Sequence, residues 1–166
     1  EWRLDEFATH IGSIAPALAA RTAALAAGLA PFEAEARAQP PVPVHGDLYD
    51  AQVLVDGGHV VGLLDVDTYG TGRRVDDLAN YVGHLVVLAT TLPRAQARIE
   101  AYARRVLAGF DQQVDPALLR AGVAAVVLGL ATGSFRVLED RWEVHTEHRI
   151  AMAEQWLASA HEVRGS

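Results

Sequence analysis

Between Trp2 and Ala38, small and apolar residues, mostly Ala and Leu, alternate with charged ones, a pattern that predicts two or three helices. Pro16 and Pro31 stand where each would open a new helix, because a proline in the first turn gives up only an amide that has no intrahelical partner. The stretch Gln39-Pro40-Pro41-Val42-Pro43 then forbids helix and imposes an extended connection. Val53 to Val55 and Val60 to Leu64 are short β-branched and aliphatic runs separated by Asp56-Gly57-Gly58-His59, a turn composition that predicts a β-hairpin. Tyr69-Gly70-Thr71-Gly72 reads as a flexible loop.

Everything beyond that loop carries helical periodicity. One helix is predicted from about Val75 to Thr90. Another starts near Pro93, with Ala95, Ile99, Tyr102 and Val106 on one face. Asp115-Pro116 reads as a cap followed by a first-turn proline, opening a helix that is apolar almost all round and therefore central. A last helix is predicted from about Trp142 to His161. The apolar run Ala121 to Ala131 is too short to cross a bilayer and reads as a core helix, so no membrane partner is expected. These elements make one mainly α (α+β) domain over residues 1–166. Leading helices occupy 1–38, a loop and hairpin segment 44–79, and a helical subdomain 80–166.

Composition narrows the chemistry. With 166 residues and 51% hydrophobic side chains, the chain can bury one domain-sized core. Its net charge is -7, and all 14 basic residues are Arg. Without lysine, a Walker A loop, a Schiff-base enzyme and a kinase's nucleotide-clamping ammonium group are all excluded from these residues. The absence of Cys excludes disulfides, thiolate metal sites and cysteine nucleophiles, and a reducing, cytoplasmic setting is the expectation. The acidic balance argues against a nucleic-acid partner and admits cationic small molecules.

The segment richest in chemistry is His45-Gly46-Asp47-Leu48-Tyr49-Asp50-Ala51-Gln52, followed by the hairpin and then Leu64-Asp65-Val66-Asp67. Strands joined by a tight turn run antiparallel, so Gln52, entering the first, and Asp65, leaving the second, are expected neighbours. Asp47, just upstream, is free to point into the same space. A carboxylate to orient and deprotonate a hydroxyl, beside oxygen ligands for a magnesium ion, is what phosphoryl transfer requires. Asp67, two residues beyond Asp65 in a stretch read as extended, points to the same side and is a further metal candidate. Tyr49 and Asp50 lie where a substrate would approach. Glu139 and Glu143, with Trp142 between them, form an acidic and aromatic patch suited to a cationic amine.

These residues resemble the aminoglycoside phosphotransferase and choline kinase family of protein-kinase-like enzymes. That family carries His-Gly-Asp, four residues, Asn, a hairpin, Ile-Asp and then Asp-Leu-Ala. Here the matching positions are His45-Gly46-Asp47, Gln52, Leu64-Asp65 and Asp77-Leu78-Ala79. The resemblance implies that Asp47 is the catalytic base, that Asp65 and Gln52 hold Mg2+, and that His45 and Asp77 support the catalytic loop. Gln52 departs from the family's Asn, keeping the carbonyl oxygen but adding a methylene. The implied co-substrate is ATP or GTP, and the implied acceptor a hydroxyl of a sugar, an aminoglycoside or an amino alcohol. The family's β-rich nucleotide lobe, with its phosphate-covering loop and lysine, has no counterpart in these residues. The chain therefore resembles the helical C-terminal lobe with an embedded two-stranded hairpin, expected to be inactive by itself. The alternative is a truncated, non-catalytic binding or interaction module. The face that meets the other lobe is an expected surface for self-association.

Overall fold

In the computed structural model, which describes residues 2–166, a helical body carries a small β-rich segment on one side. Helix α1 (Leu4–Ile14) and the long α2 (Ala19–Ala38) lead in, separated by one tight turn at Pro16–Leu18. Pro16 opens that turn as expected, whereas Pro31 opens nothing and lies inside α2. An internal proline costs a helix about 3 kcal/mol. Leu25, Leu29, Phe32 and Ala36, buried on both sides of Pro31, hold α2 continuous across it.

Strand β1 (Val42–Val44) follows the proline stretch, and a hairpin is formed by β2 (Val53–Asp56) and β3 (His59–Leu63). Gly57 and Gly58 both take positive φ, 55° and 82°, the geometry of a two-residue turn whose twist matches its strands. The expected flexible loop after Tyr69 is instead ordered: β4 (Gly70–Gly72) pairs antiparallel with β1, Val44 opposite Gly70 and Val42 opposite Gly72. A Cβ on Gly72 would come within 2.6 Å of Val44 Cγ2, so the close approach of these two short strands requires glycine there. Periodicity could not reveal this pairing, because three residues with two glycines carry no alternation.

Helices α3 (Arg74–Thr91), α4 (Gln96–Phe110), α5 (Pro116–Leu130), α6 (Gly133–Arg136) and α7 (Trp142–Gly165) complete the chain. Asp115 caps α5 as expected, its Oδ1 accepting from the amides of Ala117 and Leu118 at 2.8 and 2.9 Å. Helix α5 is the centre of the body, packed chiefly against α7 and α3 and also against α2. Leu119, Val123, Val127 and Leu128 are completely buried there. By length and apolar composition, residues 116–136 would suffice to cross a membrane, but their burial among the other helices is that of a core element. The face of α4 that meets the body is not the one expected: Ala103 is its buried residue, and Val106 and Leu107 pack against the core, while Tyr102 is exposed and shares a hydrogen bond with the Tyr81 hydroxyl at 3.0 Å.

Candidate active site

The start of α3 builds the site. Asp77 stands in its first turn, where a carboxylate is favoured by the helix dipole. Its Oδ2 accepts from the His45 amide at 2.6 Å and its Oδ1 from the Gly46 amide at 2.9 Å. One carboxylate thus clamps two consecutive amides of a loop that has no strand or helix to satisfy them. Gly46 makes the turn at φ 89°, and a Cβ there would meet the Thr68 carbonyl oxygen at 2.6 Å. The Thr68 hydroxyl donates to the His45 carbonyl at 2.8 Å, tying the same turn from its other side.

The His45 ring is buried and bridges the two ends of the segment. Nε2 lies 2.8 Å from the Leu64 carbonyl, and the Asp47 amide donates to Nδ1 at 3.4 Å. The carbonyl demands a donor and the amide an acceptor, so the ring is the neutral tautomer with its proton on Nε2. His45 therefore couples the loop bearing Asp47 to the strand end that precedes Asp65.

Asp47 is half-buried, and its Oδ1 accepts from Asn80 Nδ2 at 3.2 Å; Asn80 also donates to the Leu48 carbonyl at 3.0 Å. Among the described residues Oδ2 accepts no hydrogen bond, which leaves one carboxylate oxygen for another molecule. Asn80 went unnoticed in the sequence, although the spacing held a signal: Asp77, Asn80 and His84 stand at i, i+3 and i+7 and form a polar stripe on one face of α3.

Gln52 and Asp65 lie together, as antiparallel pairing requires. The Leu64 amide donates to the Gln52 carbonyl at 2.8 Å, extending the hairpin ladder by one step, and Gln52 Nε2 donates to Asp65 Oδ2 at 3.3 Å. Gln52 is buried and Asp65 exposed. Because the amide nitrogen is the atom turned to Asp65, the Gln52 side-chain oxygen Oε1 and the remaining carboxylate lone pairs are left as hard oxygen donors. That set fits Mg2+, which takes one or two protein oxygens and completes its shell with phosphates and water. Among the described residues there is no cluster of three or more His, Asp or Glu that could enclose a metal by itself. Asp65 adopts φ 52° and ψ 54°, and residues Val66–Thr68 form a tight helical turn. The extended geometry that would have put Asp67 on the same side as Asp65 is therefore not present; Asp67 sits exposed on that turn.

Tyr49 stacks on His84, ring centroids 4.5 Å apart and planes 23° from parallel. Burial pushes the His84 pKa below its ordinary value, against the opposing pull of the Asp47 and Asp50 carboxylates. Asp50 is half-exposed in the short turn leading to Gln52.

Asp47 and His84 line a cleft of about 530 Å³ together with Trp2, Arg3, Asn80 and Arg136. Glu139, Trp142 and Glu143 do not contribute to this described lining. Glu139 lies 3.4 Å from the His145 ring, and its carboxyl is held below the usual range by the Ser134 hydroxyl and His145. Trp142 packs edge-on against Phe135. The side chain that the neighbouring α6 does bring to the cleft is Arg136.

Residues 1–122 match a family described as the phosphotransferase enzyme family. A homoserine kinase of Pseudomonas aeruginosa is 32% identical over 123 residues, 72% of this chain and 39% of the relative, so the chain spans well under half the length of that relative. No solved structure matches significantly. The family match covers the catalytic-type loop, the hairpin, the Asp65 turn and the α3 clamp that were located above by geometry, and on that ground this chain belongs to the phosphotransferase enzyme family.

Proposed function

We propose that this chain provides the catalytic-loop half of a small-molecule kinase, an enzyme that moves the γ-phosphoryl group of a nucleoside triphosphate to an acceptor hydroxyl. The observation that carries this reading is the Asp77 clamp on His45 and Gly46. It holds Asp47 at the mouth of a cleft and, through His45, in fixed relation to the Gln52 and Asp65 pair.

In this reading Asp47 Oδ2 receives the acceptor's hydroxyl proton while Asn80 keeps the carboxylate in one orientation. Gln52 and Asp65 would hold Mg2+, which, when bound, supplies charge neutralisation across the phosphate oxygens. His45 keeps the loop in register through its contacts with the Leu64 carbonyl and the Asp47 amide. His84, disfavoured as a cation by burial, presents an uncharged ring beside Asp47. The relative's name makes L-homoserine the first acceptor to try, beside the sugars, aminoglycosides and amino alcohols implied by the loop motif.

Positioning supplies most of the rate in phosphoryl transfer, and no lysine is present here to steady the phosphates. The exposed apolar face of the hairpin, Val55 at 62%, Val60 at 65% and Val61 at 63%, supports a covering partner such as a second lobe. Assayed with Mg-ATP and Mg-GTP, the full-length gene product should phosphorylate one acceptor class, and the isolated 166-residue chain should turn over poorly. Asp47→Asn should lower kcat by roughly 10²–10⁴-fold without changing the melting temperature. Full turnover by that variant would refute the assignment.

A further inference from the structure

The cleft beside Asp47 holds two arginines in different electrostatic situations. Arg3 is neutralised in place: its Nε donates to Glu6 Oε2 at 2.7 Å and its Nη2 pairs with the other Glu6 oxygen. The guanidinium of Arg136, at the end of α6, makes no hydrogen bond or ion pair among the described residues. A third arginine, Arg149 of α7, is buried nearby and donates to the Leu130 carbonyl at 2.8 Å. Burial lowers the Arg149 pKa, and the positive charge of Arg136 lowers it further. Glu139 is the carboxylate that acts on Arg149, but it is already engaged by Ser134 and His145. In a chain of net charge -7, an unpaired guanidinium backed by a second one, at the wall of the cleft that contains Asp47, is a concentrated demand for an anion.

Two anions enter a reaction of this kind, the nucleotide's phosphates and any acid group of the acceptor. The cleft lining includes neither Gln52 nor Asp65, the oxygen pair expected on the phosphate side, so Arg136 lies on the acceptor's side of Asp47. We infer that Arg136 determines acceptor specificity by receiving a carboxylate, and that the acceptor is a hydroxy acid of the hydroxy amino acid class, not an aminoglycoside or an amino alcohol. This rests on reading Asp47 as the base that faces the acceptor hydroxyl. A planar guanidinium fork matches a carboxylate in two hydrogen bonds, and Lys, which offers a point charge, would reproduce the attraction without the geometry.

The test uses the full-length gene product and compares L-homoserine with 3-amino-1-propanol, which keeps the hydroxyl and the amine but lacks the carboxylate. Wild-type enzyme should favour L-homoserine by roughly 10²-fold or more in kcat/KM. Arg136→Gln should reduce kcat/KM for L-homoserine by roughly 10–100-fold, mostly through KM, leaving KM for ATP and turnover of 3-amino-1-propanol unchanged. Arg136→Lys should recover part of the loss. Calorimetry should show L-homoserine binding to the wild type and weakened binding to Arg136→Gln, whose exposed position leaves the melting temperature unmoved. Equal use of the two acceptors, failure of L-homoserine to bind, or an Arg136→Gln enzyme within twofold of wild type would overturn the inference. A rise in KM for ATP instead would assign Arg136 to the phosphates and overturn it as well. Loss of turnover in Asp47→Asn alongside an indifferent Arg136→Gln separates failure of the carboxylate site from failure of the kinase reading.

Discussion

The helical body and the segment from Val42 to Gly72 are stabilised by different physics. In α5, Leu119, Val123, Val127 and Leu128 have no exposed surface, and their burial is a non-directional driving force that tolerates small shifts. In the β-rich segment Val55, Val60 and Val61 lie mostly in water, and Gly46, Gly57, Gly58 and Asp65 all take positive φ. That segment is held by directional contacts: Asp77 to two amides, Thr68 to the His45 carbonyl, and His45 to the Leu64 carbonyl. Apolar packing makes a platform, and a few polar contacts anchored on α3 aim Asp47, Gln52 and Asp65. Stability and site geometry should therefore respond to different substitutions.

The strongest way to break this division is Leu128→Ala. Truncating a completely buried leucine should cost about 2–5 kcal/mol and lower the melting temperature, while activity per folded molecule stays near wild type. A Leu128→Ala protein of normal stability but poor specific activity would erase the distinction between platform and site.

Asp77→Ala tests the other side. It leaves the His45 and Gly46 amides without their acceptor, at a cost of about 1–3 kcal/mol confined to the loop. The fall in kcat/KM should be larger than the stability change implies, because a misplacement of about 1 Å at Asp47, the proposed base, would cost on the order of 10²-fold. Thermal melts and kinetics on the same preparation measure both. A melt shifted as far as that of Leu128→Ala, with kinetics intact, would show that Asp77 belongs to the platform.

The smallest effect is in pH dependence. Burial lowers the His84 pKa in the folded protein, so the unfolded chain binds this proton more readily. The corresponding stability is complete above the unfolded value, about 6.5, and declines as pH falls through the lower folded value. In urea titrations His84→Gln should flatten the fall in stability below about pH 6.5 relative to wild type. An unchanged profile would mean that the Tyr49 and His84 stack contributes no charge-dependent stability.

Much of this arrangement could be read in advance because it depends on short-range rules. The Asp56-Gly57-Gly58-His59 turn announced the hairpin, and antiparallel geometry alone brought Gln52 to Asp65. The Asp115-Pro116 cap and the apolar run behind it announced the central helix. Pro31 misled because its penalty is local, whereas the packing of Leu29 and Phe32 that overrides it involves helices far along the chain. The β1 and β4 pair was invisible because β4 is three residues with two glycines and β1 three residues within a proline stretch, and neither has a pattern to detect. Asp67 was placed by assuming extended backbone, and the left-handed turn at Asp65 redirects the chain.

The residues and their local spacing were enough to single out Asp47, Gln52 and Asp65 as candidates for phosphoryl chemistry and to predict that one hairpin would gather two of them. Local spacing carries that information because strand pairing and helical turns act over a few residues. Asn80 on Asp47, the three-way anchoring of the His45 turn and the presence of Arg136, not Glu139 or Glu143, at the cleft were decided by tertiary structure alone. Each depends on how α3 rests on α5 and α6 on α7, and burial over the whole body, among residues far apart in the chain, sets that arrangement.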